Sequence, residues 1–164
     1  IEALGSVDEL NAHLGLVKVY STDDHVVLDL ESENIPYVDL IERIQQVLFI
    51  IQAELAGSDM TVKEEEVKNI ENIINKIGDI LPPITSFTIS GGSILSASLD
   101  VARTLARRAE RRIVSVVDEG KRVIGPSTIS YMNRLSSILF AMSRYANHVK
   151  SIPENHPNYL RDNK

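Results

Sequence analysis

The sequence contains no cysteine among its 164 residues. This absence excludes disulfide bonds, thiolate metal ligands and cysteine nucleophiles together. A chain that uses no disulfide suits a reducing compartment, and we therefore expect a cytoplasmic location.

Basic residues are not in excess, because 17 lysines and arginines face 23 aspartates and glutamates, giving a formal net charge of -6. General nucleic-acid binders normally carry a basic surface, so we expect no nucleic-acid partner.

Long apolar runs are also missing from the sequence. The densest, Val47 to Ile51, is far too short to cross a bilayer, and we expect no membrane partner.

Two catalytic motifs are absent from the sequence. No G-x-x-x-x-G-K-[ST] segment occurs, which excludes a standard P-loop. None of the four histidines follows a glutamate at a spacing of three, the pattern that supplies ligands to di-iron bundles. The histidines therefore argue against a di-iron enzyme.

Helical periodicity dominates what is present, and no alternating strand pattern stands out. The predicted helices cover residues 6–20, 36–56, 61–78, 94–119 and 127–149. Capping-box spacing marks the first start at Ser6 and the third at Thr61. Residues 21–34 are interpreted as a long connection. We expect one domain, 1–164, with an all-α antiparallel five-helix bundle.

The fourth helix carries an unusual cluster of charged residues beside an alanine-rich apolar seam. Its members are Arg103, Arg107, Arg108, Glu110, Arg111 and Arg112. Arg103, Arg107 and Glu110 share one face, which lies one residue, or roughly 100°, from the seam. Arginine in such a place can pair bidentately with phosphate. The alternative is a solvated, salt-bridged helix face, which is the usual role of charge runs.

Three weaker signals accompany this cluster. The segment 90–93, Ser-Gly-Gly-Ser, precedes the fourth helix and either exposes backbone N–H groups to an anion or forms a turn with a cap. Asn133 and Phe140 lie seven residues apart on one face of the fifth helix. Asp8 lies in the first turn of the first helix, where complementing the helix dipole is a sufficient structural reason for it.

Five segments of the sequence form an ordered set of motifs. Residues 5–11 read GSVDELN, and residues 102–111 fit the pattern A-R-x-x-x-R-R-A-E-R. Residues 87–92, 133–136 and 144–146 fit F-x-x-x-G-G, N-R-L-S and R-Y-A. This set, in this order, resembles the PduO-type ATP:cob(I)alamin adenosyltransferase family, whose first motif is G-[ST]-x-D-E-L-N and whose A-R-x-x-x-R-R-A-E-R block is specific. The fold that the resemblance implies is the ferritin-like bundle of this family.

The sequence departs from the family pattern at two positions and lacks one segment. Asp100 stands where the family usually has histidine, and Ser137 stands where it usually has aspartate. The glycine-rich T-G-D-x-G-x-T segment that forms part of the family's triphosphate site is not found in residues 1–164. We expect this segment to precede Ile1.

The resemblance implies that Co(I) of reduced cobalamin attacks the ribose 5′ carbon of ATP, and that triphosphate leaves. ATP with Mg²⁺ and cobalamin are then the substrates, and no metal site of the protein itself is expected. The positions that match the family's ATP contacts are Arg107, Arg108, Glu110, Arg111 and Asn133.

The family is trimeric, with active sites between subunits, so the resemblance also implies a homotrimer. Asp8 and Arg103 match a pair that bridges the interface, and together with Arg107 they are the implied catalytic residues. Phe87 matches the ring that packs below the corrin, and Phe140 is expected to line the same pocket. A cobalamin reductase and an adenosylcobalamin-dependent enzyme are the implied functional partners.

Two other functions are compatible with the residues alone. A non-catalytic oligomeric helical bundle would pair its arginines with acidic neighbours. An ATP-binding or anion-binding regulatory protein would bind the nucleotide without transferring it.

Overall fold

The structure is a computed structural model that describes residues 1–31 and 33–160. Within these described residues, five helices account for most of the structure and confirm the predicted all-α bundle. They are α1 (Glu2–Asp24), α2 (Tyr37–Ala56), α3 (Glu64–Ile80), α4 (Ile94–Asp118) and α5 (Pro126–His148). A short antiparallel hairpin, β1 (Val27–Leu30) and β2 (Glu33–Pro36), joins α1 to α2.

Helix α4 lies between α1 and α5, and it packs along both. Its seam toward the core is completely buried and has alanine at the three central positions. The seam consists of Leu95, Leu99, Ala102, Ala106, Ala109 and Ile113. Because alanine has only a methyl side chain, α4 can approach its two neighbours closely. Helices α2 and α3 complete the bundle by packing on α1 and α5 respectively.

The hairpin corrects the prediction that residues 21–34 form an irregular connection without strands. Helix α1 continues to Asp24 and ends at His25, which adopts a left-handed conformation with φ of 50°. In β1 the side chains of Leu28 and Leu30 are buried, whereas those of Val27 and Asp29 are exposed. This alternation covers only four residues, which is too short to stand out from a helical pattern.

The predicted helix starts at Ser6 and Thr61 were also wrong. Helix α1 begins at Glu2, and the Ser6 hydroxyl donates to the Glu2 carbonyl oxygen inside the helix instead of capping its start. Helix α3 begins after Lys63, because the Thr61 hydroxyl donates to the Glu54 carboxylate. The predicted bounds of α2, α4 and α5 agree with the structure to within one residue.

A buried carboxylate ties the end of α2 to the start of α5. Glu54 is 6% exposed. Its Oε1 accepts from the Thr61 hydroxyl at 3.0 Å and from the Gly125 amide at 2.7 Å. Its Oε2 accepts from the Thr128 hydroxyl at 2.5 Å. Three donors therefore satisfy the buried charge, and the loops at this end of the bundle depend on it.

Within the described ranges, the helices are too short or too polar for any of them to cross a membrane.

Substituting Glu54→Ala should lower the free energy of unfolding by about 2–4 kcal/mol, because it leaves the buried Thr128 hydroxyl and the half-buried Gly125 amide without their acceptor. Chemical denaturation monitored by circular dichroism measures this change. The control is Glu42→Ala, which removes an exposed carboxylate 3.8 Å from Lys18 and should cost less than about 1 kcal/mol. Equal losses in the two variants would show that the Glu54 network contributes nothing special.

Candidate active site

A cleft of about 380 Å³ lies beside α4 and α5. The connection between α3 and α4, residues 81–93, forms its third wall. The lining residues are Ile84, Ser86, Phe87, Thr88, Arg103, Arg107, Ser136, Ser137 and Phe140. Four of the residues singled out from the sequence therefore meet in one place, namely two arginines and two aromatic rings.

Arg103 is the half-buried arginine of this cleft. Its guanidinium carbon lies 5.9 Å from the centroid of the Phe140 ring, a cation–π distance. Its Nε also lies 3.5 Å from Oδ1 of Asp100, which is 9% exposed. Asp100 is one of the two departures from the family pattern. In this chain it gives Arg103 a carboxylate partner on the same helix.

Arg107 is the exposed arginine of the cleft. Among the described residues its guanidinium has no ion-pair or hydrogen-bond partner. A guanidinium offers five N–H donors in a fixed planar arrangement. Arg107 therefore presents unused donors to the same cleft that Phe87 and Phe140 line, and these donors suit an anionic group.

The rest of the arginine cluster points elsewhere. Arg108 forms an ion pair with Glu9, and Arg112 forms one with Glu2 at 2.9 Å. Both pairs link α4 to α1, and both arginines are exposed, so they form the salt-bridged helix face that the sequence offered as the alternative. Arg111 is exposed and, within the part of the chain that the structure describes, has no side-chain partner.

Glu110 and Asn133 form a direct link between α4 and α5. The Asn133 side-chain amide donates to Glu110 Oε1 at 2.8 Å. Both lie outside the lining of the cleft. Asn133 is exposed, and its bond to Glu110 joins the surfaces of the two helices.

Asp8 lies in a different cleft, of about 390 Å³, between α1 and α2. It accepts from the Gln52 amide at 3.2 Å. The same cleft contains Phe49, which is 58% exposed, and Asn11, whose buried Oδ1 has no hydrogen-bond partner among the described residues. One chain therefore does not bring Asp8 to Arg103.

Phe87 is 80% exposed at the mouth of the first cleft. The segment that follows it ends in a glycine turn, with φ of 132° at Gly91 and 100° at Gly92. The Ser93 hydroxyl accepts from the Ser96 amide at 3.1 Å and caps α4. Of the two interpretations given for residues 90–93, the turn with a cap is confirmed.

Sequence reasoning did not single out Asn147, which holds this glycine turn. Its Nδ2 donates to the Gly91 carbonyl oxygen at 2.9 Å, and its Oδ1 accepts from the Ser93 amide at 3.0 Å. Asn147 follows the R-Y-A segment directly, so its only signal was a polar residue near the end of the fifth helix.

Across residues 1–31 and 33–160, no group of three or more acidic or histidine side chains is arranged to hold a metal ion.

A cleft that joins arginines to aromatic rings suits a ligand with an anionic part and a flat apolar part. Sequence comparison agrees with this description. The profile of the cobalamin adenosyltransferase family matches residues 1–146, and the chain belongs to that family. Its membership confirms the resemblance seen in the motifs.

Two curated relatives illustrate the similarity. The chain is 34% identical over 151 residues to the corrinoid adenosyltransferase PduO of Salmonella typhimurium, covering 88% of this chain and 41% of that protein. It is 31% identical over 156 residues to the corrinoid adenosyltransferase of Mycobacterium leprae, covering 88% of this chain and 76% of the relative.

Solved structures give the same fold. A variant of the PduO-type ATP:corrinoid adenosyltransferase from Lactobacillus reuteri, complexed with cobalamin and ATP, superposes with a TM-score of 0.79 at 31% identity. The match covers 95% of this chain and 84% of that one. A second variant of the same enzyme, complexed with ATP, gives a TM-score of 0.81 at 30% identity, covering 96% and 86%.

The glycine turn yields a prediction about the wall of the cleft. A Cβ at Gly92 would lie 2.6 Å from the Asn147 amide atoms, whereas a Cβ at Gly91 would meet nothing within 4 Å. Both positions have positive φ, so either alanine should cost about 1–3 kcal/mol of backbone strain. Gly92→Ala should cost more, because it also breaks the Asn147 contacts. Thermal unfolding of the two variants checks this, and equal midpoints would contradict it.

Proposed function

We propose that the protein transfers the 5′-deoxyadenosyl group of ATP to the cobalt of cob(I)alamin, forming adenosylcobalamin and releasing triphosphate. One observation carries the proposal. Arg107, which the resemblance assigns to ATP, lines a single cleft with Phe87 and Phe140, which it assigns to the corrin. The similar enzyme from Lactobacillus reuteri, complexed with cobalamin and ATP, supports this choice of substrates.

The reaction is an alkyl transfer. The electron pair of Co(I) forms a bond to the 5′ carbon, the bond between that carbon and the triphosphate oxygen breaks, and its electrons remain on triphosphate. The nucleophile arrives with the substrate, so the protein has to align the two centres and stabilise the leaving charge. Arg107 has free guanidinium donors at the cleft and is the residue best suited to bind a phosphate oxygen.

Other residues of α4 and α5 are assigned to ATP by the resemblance alone. Arg108 and Arg111 would add positive charge near the phosphates, although Arg108 would first have to leave Glu9. Glu110 and Asn133 would act as one bonded unit. The resemblance also assigns part of the triphosphate site to a glycine-rich segment, which is not found in residues 1–164 of this single helical domain. Mg²⁺ would be bound by the phosphate oxygens, since the described side chains offer no cluster for it.

The two aromatic rings would form the corrin side of the cleft. Phe87 would cover the lower face of the corrin and keep water and the lower ligand away from cobalt. Phe140 would pack beside it, fixed by its contact with Arg103. Four-coordinate cobalt is easier to reduce, so this apolar wall would favour formation of the Co(I) nucleophile.

We infer a homotrimer with active sites between subunits. The α1–α2 cleft supports it, because Phe49 is exposed there and the buried Oδ1 of Asn11 has no partner in the part of the chain that the structure describes. Asp8 and Arg103 lie in different clefts of one chain, so a pair between them has to cross a subunit boundary. Further partners would be a cytoplasmic cobalamin reductase and an enzyme that uses adenosylcobalamin.

Substituting Arg107→Ala in the full-length protein should reduce kcat/KM for ATP by roughly 10- to 150-fold, because a charge-assisted hydrogen bond to phosphate is worth about 1.5–3 kcal/mol. Formation of adenosylcobalamin from ATP and reduced cobalamin measures it. Arg112→Ala is the matched control, since Arg112 lies on the same helix but pairs with Glu2 outside the cleft. A folded Arg107→Ala variant with normal kcat/KM would contradict the assignment.

Substituting Phe87→Ala should slow the reaction that starts from cob(II)alamin by about tenfold or more, because burial of an aromatic ring is worth roughly 1.5–3 kcal/mol. The reaction given chemically prepared cob(I)alamin should suffer less, because it bypasses the reduction step. The KM for ATP should stay nearly unchanged. If both rates and the spectrum of four-coordinate Co(II) persist in the variant, Phe87 has only a packing role.

A double-mutant cycle tests the interface pair. Asp8→Ala and Arg103→Ala should each weaken the trimer and the activity, and their combined effect should be smaller than the sum by about 0.5–3 kcal/mol. The same cycle with Arg112 in place of Arg103 should be additive. Sedimentation and turnover provide the two readouts, and additivity in the Asp8–Arg103 cycle would refute the pair.

A further inference from the structure

The connection that carries Phe87 is not held by burial. All of residues 82–87 are exposed, and no helix or strand occurs between Ile80 and Ile94. Apolar packing therefore does not fix the position of the Phe87 ring. Hydrogen bonds from the C-terminal part of the chain reach this connection instead.

After α5 the chain turns back toward the cleft. Ser151 adopts a left-handed conformation with φ of 55°, and the Ile152 amide donates to the Asn147 carbonyl oxygen at 3.0 Å. Residues 152–156, which we term the C-terminal strap, then run beside the Phe87 connection. The Ile89 amide donates to the Asn155 carbonyl oxygen at 2.7 Å and joins the two segments through their backbones.

His156, in the strap, contacts Phe87 directly. Its Nδ1 lies 2.9 Å from the Phe87 carbonyl oxygen and 2.9 Å from the Ser86 hydroxyl oxygen. A carbonyl oxygen can only accept, so Nδ1 carries the hydrogen and donates to Phe87. The bond restrains the backbone at the residue whose ring enters the cleft.

Arg144 holds the other end of the same connection. It is 8% exposed, and its Nη2 donates to the Pro82 carbonyl oxygen at 2.8 Å. Its Nε and Nη2 also bind the two carboxylate oxygens of Glu154 in the strap. A nearly buried guanidinium with a bidentate carboxylate is a rigid support, because both groups lose their partner if either moves.

We propose that Arg144, Glu154 and His156 are positioning residues that hold the Phe87 ring over the cleft. None of the three lines the cleft. Arg144 and His156 act through the main chain of the Phe87 connection, and Glu154 acts through Arg144. The inference rests on the proposed function, in which that ring covers the corrin. It adds the strap to the residues that determine how tightly cobalamin, and not ATP, is bound.

The test uses His156→Ala and Glu154→Gln in the full-length protein. In each variant, hydrogen exchange of the 84–92 segment should become faster in the absence of substrates. The KM for cobalamin should rise about three- to tenfold, as expected for the loss of one or two hydrogen bonds. The KM for ATP should stay within about twofold, because Arg107 lies on α4 and does not depend on the strap.

Two controls separate positioning from a general loss of stability. His156→Asn keeps a donor near the place of Nδ1 and should restore much of the cobalamin KM. Lys150 also follows α5, and its Nζ lies 2.6 Å from Oδ2 of Asp24. Lys150→Ala removes this ion pair and should change neither the hydrogen exchange of residues 84–92 nor the KM for cobalamin.

Unchanged hydrogen exchange of residues 84–92 in both variants would overturn the role of the strap. An equal rise of the KM for cobalamin and the KM for ATP would also overturn it. An unmodified protein that forms no adenosylcobalamin would contradict the proposed function itself. Normal turnover with an unchanged cobalamin KM in both variants would contradict only the present inference.

Discussion

The close approach of α4 to its two neighbours is the constraint on which the cleft depends. The alanines at 102, 106 and 109 are completely buried, and larger side chains there would push α1 and α5 away. Because the seam is narrow, the arginines that flank it lie close to both neighbouring helices. A seam of leucines would leave the same charges farther from the aromatic wall of α5.

The same geometry places the members of one charge cluster in two different surroundings. On the α1 side, Arg108 and Arg112 pair with glutamates and contribute to a solvated, salt-bridged surface. On the α5 side, Arg103 packs against Phe140 and pairs with Asp100, which leaves Arg107 as the cleft arginine without a partner among the described residues. The salt-bridged interpretation is therefore confirmed for Arg108 and Arg112, whereas phosphate binding by Arg107 stays a prediction.

The sequence alone predicted the features that depend on neighbouring residues, namely most helix bounds and the family motifs. The bounds of α2, α4 and α5 followed from helical periodicity, and the family motifs identified residues that meet in the cleft. The hairpin was not predicted because its alternation covers only four residues. The Glu54 network was not predicted because Glu54 accepts from Gly125 and Thr128, which lie 71 and 74 residues further along the chain. The strap was missed for the same reason, since the role of His156 appears only when it reaches the carbonyl of Phe87.

The central claim is that one cleft aligns the triphosphate of ATP, through Arg107, with a corrin that rests on Phe87 and Phe140. A crystal structure of the full-length protein with ATP and cobalamin tests it most directly. We expect a guanidinium nitrogen of Arg107 within about 3 Å of a phosphate oxygen, and the Phe87 ring against the lower face of the corrin. A phosphate chain that does not contact Arg107, or a corrin bound away from both rings, would contradict the account.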